Sequence, residues 1–212
     1  MGMRISGKQT YLFYVRQPGS DVALRYENPT INAYIEEMRK SIKNGKIIDG
    51  LHLLRRIADM PNLGQKKPEI LKKIFIEAAR ELVDFCHTAD YQSIKGLARI
   101  LETEGQAVAA AMLRLHCPKT EDPRQDQAES LVTESVLINT NDNNLNVLKS
   151  LYFGAVLAGG EGLAAKKYWE AIAWAVINAC EDKNIKVLRE IKGFLLEPDI
   201  NQPLAAAMIW LY

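Results

Sequence analysis

The chain has 212 residues and a mass of 23.8 kDa, with 48% hydrophobic and 25% charged residues, an ordinary globular composition that argues against disorder. Its 27 Lys+Arg stand against 26 Asp+Glu, so bulk charge names no partner. Three cysteines are too few and too odd in number for a disulfide framework. The start carries no signal-peptide-like apolar stretch, and no uncharged apolar run reaches about 18 residues, so a cytoplasmic protein with no membrane association is expected.

Residues 1–30 differ from the rest. Tyr11-Leu12-Phe13-Tyr14-Val15 is aromatic and β-branched, Gln17-Pro18-Gly19-Ser20-Asp21 is a turn signal, and Val22 to Tyr26 alternates weakly. This reads as a short β-hairpin or an extended arm. From Asn28 the period becomes helical, and residues 31–212 read as a helical-repeat domain. Asn28-Pro29-Thr30 starts a helix running to about Lys43, with Ile31, Tyr34, Ile35, Met38 and Ile42 on one stripe, and Asn44-Gly45 stops it. A second helix carries Ile47, Ile48, Leu51, Leu54 and Ile57 before Pro61. Pro68 opens a third that holds phase through Ile70, Leu71, Ile74, Ala78 and Leu82 as far as Cys86. The pattern continues to the end of the chain, interrupted most clearly at Asp122 to Asp126 and at Gly159-Gly160-Glu161-Gly162.

Four helices share an aliphatic-x-x-Leu-x-x-aliphatic spacing just after a polar turn. They are Ile48/Leu51/Leu54, Ile94/Leu97/Ile100, Leu145/Leu148/Leu151 and Ile185/Leu188/Ile191. A second correspondence sets Ala109-Ala110-Ala111-Met112-Leu113 against Ala205-Ala206-Ala207-Met208-Ile209, and Lys72-Lys73 against Lys166-Lys167, which suggests an internal duplication of 68–117 and 163–212. The expected fold is all-α: stacked antiparallel helix pairs, as an α-solenoid or a multi-helix array. In its period the chain resembles helical-hairpin repeat proteins such as HEAT, armadillo or tetratricopeptide arrays. The Trp, Gly and Pro signature of tetratricopeptide repeats is absent, and the same pattern suits a compact multi-helix bundle.

Cys86-His87 and His116-Cys117 are adjacent pairs of metal-ligand type, each near a helix end, and four such ligands are what a structural zinc site needs. Adjacent helical residues diverge by about 100°, however, and no C-x-x-C or H-x-x-x-H spacing occurs, so no metal and no cofactor are expected. G-x-S-x-G, H-E-x-x-H and the phosphate-binding G-x-x-x-x-G-K-[ST] are missing. No catalytic residue is assigned, and a non-enzymatic protein is expected; an enzyme with a site assembled from several helices is the most distant alternative.

Charge position says more than charge total. Residues 1–80 carry a net of +7 and residues 81–212 a net of −6. Arg39, Lys40, Lys43, Lys46, Arg55, Arg56, Lys66, Lys67, Lys72 and Lys73 form a basic segment suited to an acidic protein surface or to nucleic acid phosphates. The chain ends on an apolar run through Trp210 and Tyr212, residue types that anchor interfaces, and Trp169 and Trp174 sit five apart on one helix. The function expected is a protein–protein interaction module acting as adaptor, scaffold, chaperone or inhibitor, with Trp169, Trp174, Trp210 and Tyr212 as candidate partner contacts. Homo-oligomerisation through the C-terminal helix or the N-terminal arm is expected as well. The alternative is a nucleic-acid-binding protein using residues 39–73.

Overall fold

A computed structural model describes residues 29–60, 67–116, 145–159, 162–181 and 185–211, all of them helical or in short turns. The proposed N-terminal hairpin or arm, Lys66, Cys117, Tyr212 and the His116 side chain lie outside the described residues. Among the described residues there are nine helices and no strand, so the chain is all-α as expected.

The first three helices follow the sequence signals closely. In α1 (Pro29–Lys43), Ile31, Ile35, Met38 and Ile42 are buried along one stripe. The helix stops where Gly45 takes a φ of +74°, a conformation glycine adopts without steric cost. The Lys46 N–H then donates back to the Ser41 carbonyl and the Gly45 N–H to the Ile42 carbonyl, satisfying the last carbonyls of the helix. The chain reverses into α2 (Ile47–Ala58), which packs on α1. The crossing is close: a Cβ at Gly50 would lie 2.6 Å from Ile42 Cγ1. The long α3 (Lys67–Thr88) contacts both.

The turn after α3 is capped by Asp90, whose Oδ1 accepts the Ser93 N–H at 2.7 Å and so begins α4 (Tyr91–Thr103). That bond also holds the Asp90 carboxyl below the usual aspartate range. Helix α4 ends as α1 does, with Gly105 at a φ of +74° and the same pattern of backbone bonds, and leads into α5 (Ala107–His116). The second half comprises α6 (Leu145–Leu157), α7 (Gly162–Glu181), α8 (Ile185–Leu195) and α9 (Pro203–Trp210). Tyr152 on α6 joins three of these. Its ring meets Trp169 edge-on at 5.5 Å and Phe194 at 6.2 Å, and its hydroxyl donates to the Asp199 carbonyl at 2.6 Å. Burial, followed by the charge of Asp199, raises the Tyr152 phenol above its ordinary value.

Neighbouring helices do pair, α1 with α2, α4 with α5, and α6 with α7. The array nevertheless does not run on as a simple line. Helix α5 packs on α7, α9 returns to pack on α3, and α9 also meets α5. One core therefore runs through both halves of the chain. The apolar C-terminus contributes to it, because every residue from Leu204 to Ile209 is buried within the chain. Along α9, only Pro203 and Trp210 are less than fully buried.

The two halves meet reciprocally, as in an isologous interface. Gln106 opens α5 and Gln202 opens α9. The Leu204 N–H donates to Gln106 Oε1 at 3.2 Å, and the Val108 N–H donates to Gln202 Oε1 at 3.0 Å. Gln106 Nε2 donates to the Asn201 carbonyl at 3.4 Å, and Gln202 Nε2 to the Gly105 carbonyl at 2.7 Å. Each amide thus satisfies an orphan N–H in the first turn of the other's helix. Asn201, at the position matching Gly105, also has a positive φ, 46°.

Candidate functional site

Of the ten basic residues picked out in the first third of the chain, nine lie among the described residues. Three are neutralised by carboxylates that lie far off in sequence. Arg39 Nε donates to Glu81 Oε1 at 2.7 Å, and Lys43 Nζ lies 3.7 Å from Glu81 Oε2. Glu81 is buried on α3, so this cluster ties α1 to α3 and raises the Arg39 pKa above its ordinary value, the hydrogen bond to Glu81 being the main cause. Arg55 Nη2 reaches Glu104 Oε2 at 2.7 Å and links α2 to the end of α4. Lys40, Lys46, Arg56 and Lys73 project from the helices as exposed residues, and Lys67 is half-buried at the start of α3.

Lys72 is drawn elsewhere. Its Nζ sits 4.5 Å from the centre of the Trp210 indole, and the Nζ of Lys192 sits 4.5 Å from the same centre. The two ammonium groups, from α3 and α8, are therefore no farther apart than twice that distance, with the last side chain of α9 between their helices. Burial pushes the Lys192 pKa below the ordinary lysine value, and the positive charges of Lys72 and Arg189 push it the same way. Among the described residues, no carboxylate forms an ion pair with Lys72, Lys192 or Arg189. The face of the indole ring attracts each cation by about 0.5–1 kcal/mol, yet it supplies no counter-charge. The result is a half-buried aromatic ring between two like charges, with a third acting on one of them, an arrangement that favours an incoming anion. This corner joins two residues singled out in the sequence, Lys72 and Trp210, from nearly opposite ends of the chain.

Arg189 and Lys192 were not among the candidates. The only signal Lys192 left was a basic last turn on an amphipathic helix, and Arg189 lies one turn earlier on the same helix. The other tryptophans are placed differently. Trp169 is buried in the core against Tyr152, and Trp174 is half-buried on the same helix. Cys86 and His87 are half-buried near the end of α3, and Cys180 is buried near the end of α7. Among the described residues, no three His, Cys, Asp or Glu side chains come together in a way that could hold a metal ion. None of the described helices is long and apolar enough to cross a membrane.

A second charged corner lies where α4, α5 and α7 meet. Arg114 Nη1 donates to Glu102 Oε1, Arg114 Nε lies 3.6 Å from Glu170 Oε1, and Lys166 Nζ lies 3.7 Å from the same oxygen. Glu170 is buried, and two cations face two carboxylates. This corner is balanced internally, whereas the one around Trp210 is not. Comparison of the chain with protein-family models, with curated proteins and with solved structures finds no match to any of them.

Proposed function

We propose that the chain is a non-enzymatic protein–protein interaction module, an adaptor, scaffold, chaperone or inhibitor, that docks an acidic segment of a partner protein at the corner around Trp210. One observation carries this reading: Lys72 and Lys192 both sit over a half-buried indole, with the charge of Arg189 acting on Lys192 and no carboxylate of the described residues paired to any of the three. Clustered like charges in a partly desolvated place raise the free energy of the unliganded protein, and an anion that binds there relieves the repulsion. Trp and basic side chains at one point also match the composition of interface anchors. The reading places the protein in the cytoplasm and leaves self-association to surfaces other than α9.

The test is fluorescence anisotropy of a labelled Glu-rich peptide titrated with the full chain, repeated with the K72E/K192E double variant. Wild type is expected to bind, more weakly as salt rises, and the double variant to lose about tenfold or more in affinity. Equal binding by the two proteins, or no binding by wild type at low salt, overturns the proposal. The nucleic-acid reading keeps one observation in its favour, the exposed Lys40, Lys46, Arg56 and Lys73. A single-stranded oligonucleotide that binds more tightly than the peptide, with a steep salt dependence lost on K40E/K46E/R56E/K73E, transfers the assignment to that reading.

A further inference from the structure

The two charged corners stand in equivalent places. The reciprocal Gln106 and Gln202 bonds match α5 to α9 at a spacing of 96 residues, and this register also aligns the two Ala-Ala-Ala-Met runs. Helices α3 and α7 match at a spacing of 94. In that register Lys72-Lys73 falls on Lys166-Lys167, Ala79 on Ala173 and Cys86 on Cys180. The buried positions coincide as well: Glu77, Ala78, Ala79, Glu81, Leu82 and Val83 correspond to Ala171, Ile172, Ala173, Ala175, Val176 and Ile177, all buried. Helices α4 and α8 share the same spacing of 94, because the Gln106 N–H donates to the Leu101 carbonyl and the Gln202 N–H to the Leu195 carbonyl. The contacts agree with the sequence: α5 lies on α7 as α9 lies on α3, and α2 meets α4 as α6 meets α8.

This correspondence puts Trp210 where the other half has Arg114, and Lys72 where it has Lys166. The positions of the two neutralising carboxylates, Glu102 and Glu170, are taken by Leu196 and Ile76. Lys192, over the Trp210 ring, replaces Ala98. One copy of the corner therefore carries its own acidic side chains, and the other lacks both, while Lys192 supplies a cation in place of the one lost where Trp210 replaces Arg114. We infer that the partner of this chain presents a pair of carboxylates to the Trp210 corner, in the arrangement that Glu102 and Glu170 hold around Arg114 and Lys166 within the duplicated other half. The inference rests on the docking reading of the Trp210 corner and adds the form of the ligand: two acidic side chains of a protein segment. Leu196 is 45% exposed and offers apolar surface beside them.

The experiment supplies the missing carboxylate from within. In the full chain, Leu196→Glu is expected to weaken binding of a labelled peptide bearing two glutamates by about tenfold, while Leu196→Gln stays within about threefold of wild type. A peptide with only one glutamate is expected to bind wild type about tenfold more weakly than the paired one. Ile76→Glu makes the same test from α3, and because Ile76 packs against the core, the exposed Leu196 variant decides the matter if it fails to fold. If L196E and L196Q bind alike while K72E/K192E abolishes binding, the equivalence of the corners is overturned and the docking reading stands. If K72E/K192E binds as wild type does, the docking reading itself is overturned. Inorganic tripolyphosphate binding more tightly than the paired-glutamate peptide also overturns the inference.

Discussion

The Arg114 and Trp210 corners occupy matching places in the two halves and have opposite chemistry. Around Arg114, two cations face Glu102 and Glu170, and the side chains hold α4, α5 and α7 together. Around Trp210, Lys72 and Lys192 share one ring, Arg189 adds its charge beside Lys192, and no carboxylate of the described residues pairs with any of the three. The difference shows how one framework yields both an internally paired joint and a corner of unpaired cations. Charges balanced inside the chain add to cohesion, and charges left unbalanced act on what arrives from outside. The comparison predicts that mutations at the first corner cost stability and those at the second cost binding.

The largest effect on stability is expected at the reciprocal lock that relates the two corners. Gln202 is buried, and Gln202→Ala leaves the Val108 N–H and the Gly105 carbonyl without their partner. A buried donor or acceptor left unmade costs about 1–3 kcal/mol, so a loss of about 2–4 kcal/mol is expected in urea unfolding. Gln106→Ala, whose bonds lie nearer to solvent, is expected to cost about half as much. Equal costs would mean that the lock is symmetric in energy as well as in pattern. No cost in either would remove the physical basis for matching the halves.

The Arg114 corner comes next. Arg114→Met removes the guanidinium that pairs with both Glu102 and Glu170. Because these side chains are only partly buried, the expected loss is about 1–2 kcal/mol, below the figure for a fully buried pair. Peptide affinity should not change. The mirror experiment, Lys72→Met, is expected to lower peptide affinity about threefold or more with a stability change under about 0.5 kcal/mol. Thermal melts and anisotropy titrations on the same four proteins (wild type, R114M, K72M and the double variant) check the contrast. A stability loss for K72M as large as that for R114M breaks it.

These contrasts rest on contacts that the sequence displays unevenly. The bounds of α1, α2 and α3 were legible to within a few residues because apolar stripes of helical period ended near Asn44-Gly45, before Pro61 and near Cys86. The correspondence of α5 with α9 was visible in the repeated Ala-Ala-Ala-Met runs. Its function was not, because the glutamine that opens each helix has no apolar signature. The four-fold spacing also blurred a longer correspondence between halves: Ile48 and Ile185 are exposed although they occupy anchor positions, whereas Leu51, Leu97, Leu148 and Ile191 are buried. The candidate site was half legible. Trp210 stood out as an unprotected aromatic and Lys72 as part of a basic run. Their meeting depends on α9 folding back onto α3, a contact between distant helices that no local period encodes. Charge counting by segment misled for the same reason. Arg39, Lys43 and Arg55 find their counter-charges on other helices, and the surviving cationic corner draws two of its three charges from the half of the chain that is acidic overall.

The smallest expected effect concerns pH, and it separates the corners without mutation. Lys192 has its pKa below the ordinary lysine value because burial and the charges of Lys72 and Arg189 disfavour its protonated form. A bound carboxylate favours that form, so peptide binding takes up a fraction of a proton wherever free Lys192 is partly neutral. Affinity is expected to be full at neutral pH and to fall as pH rises through the lowered Lys192 value, before exposed lysines discharge. Stability has the opposite sign. The unfolded chain holds the Lys192 proton more tightly than the folded one, so this residue opposes folding at neutral pH, and its penalty fades as pH rises through the same range. The loss of affinity is expected to be about threefold to tenfold. Lys192→Arg keeps the charge without the titration and should flatten the alkaline limb of the affinity profile. An unchanged limb in K192R would assign the pH dependence to another group and remove Lys192 from the binding corner.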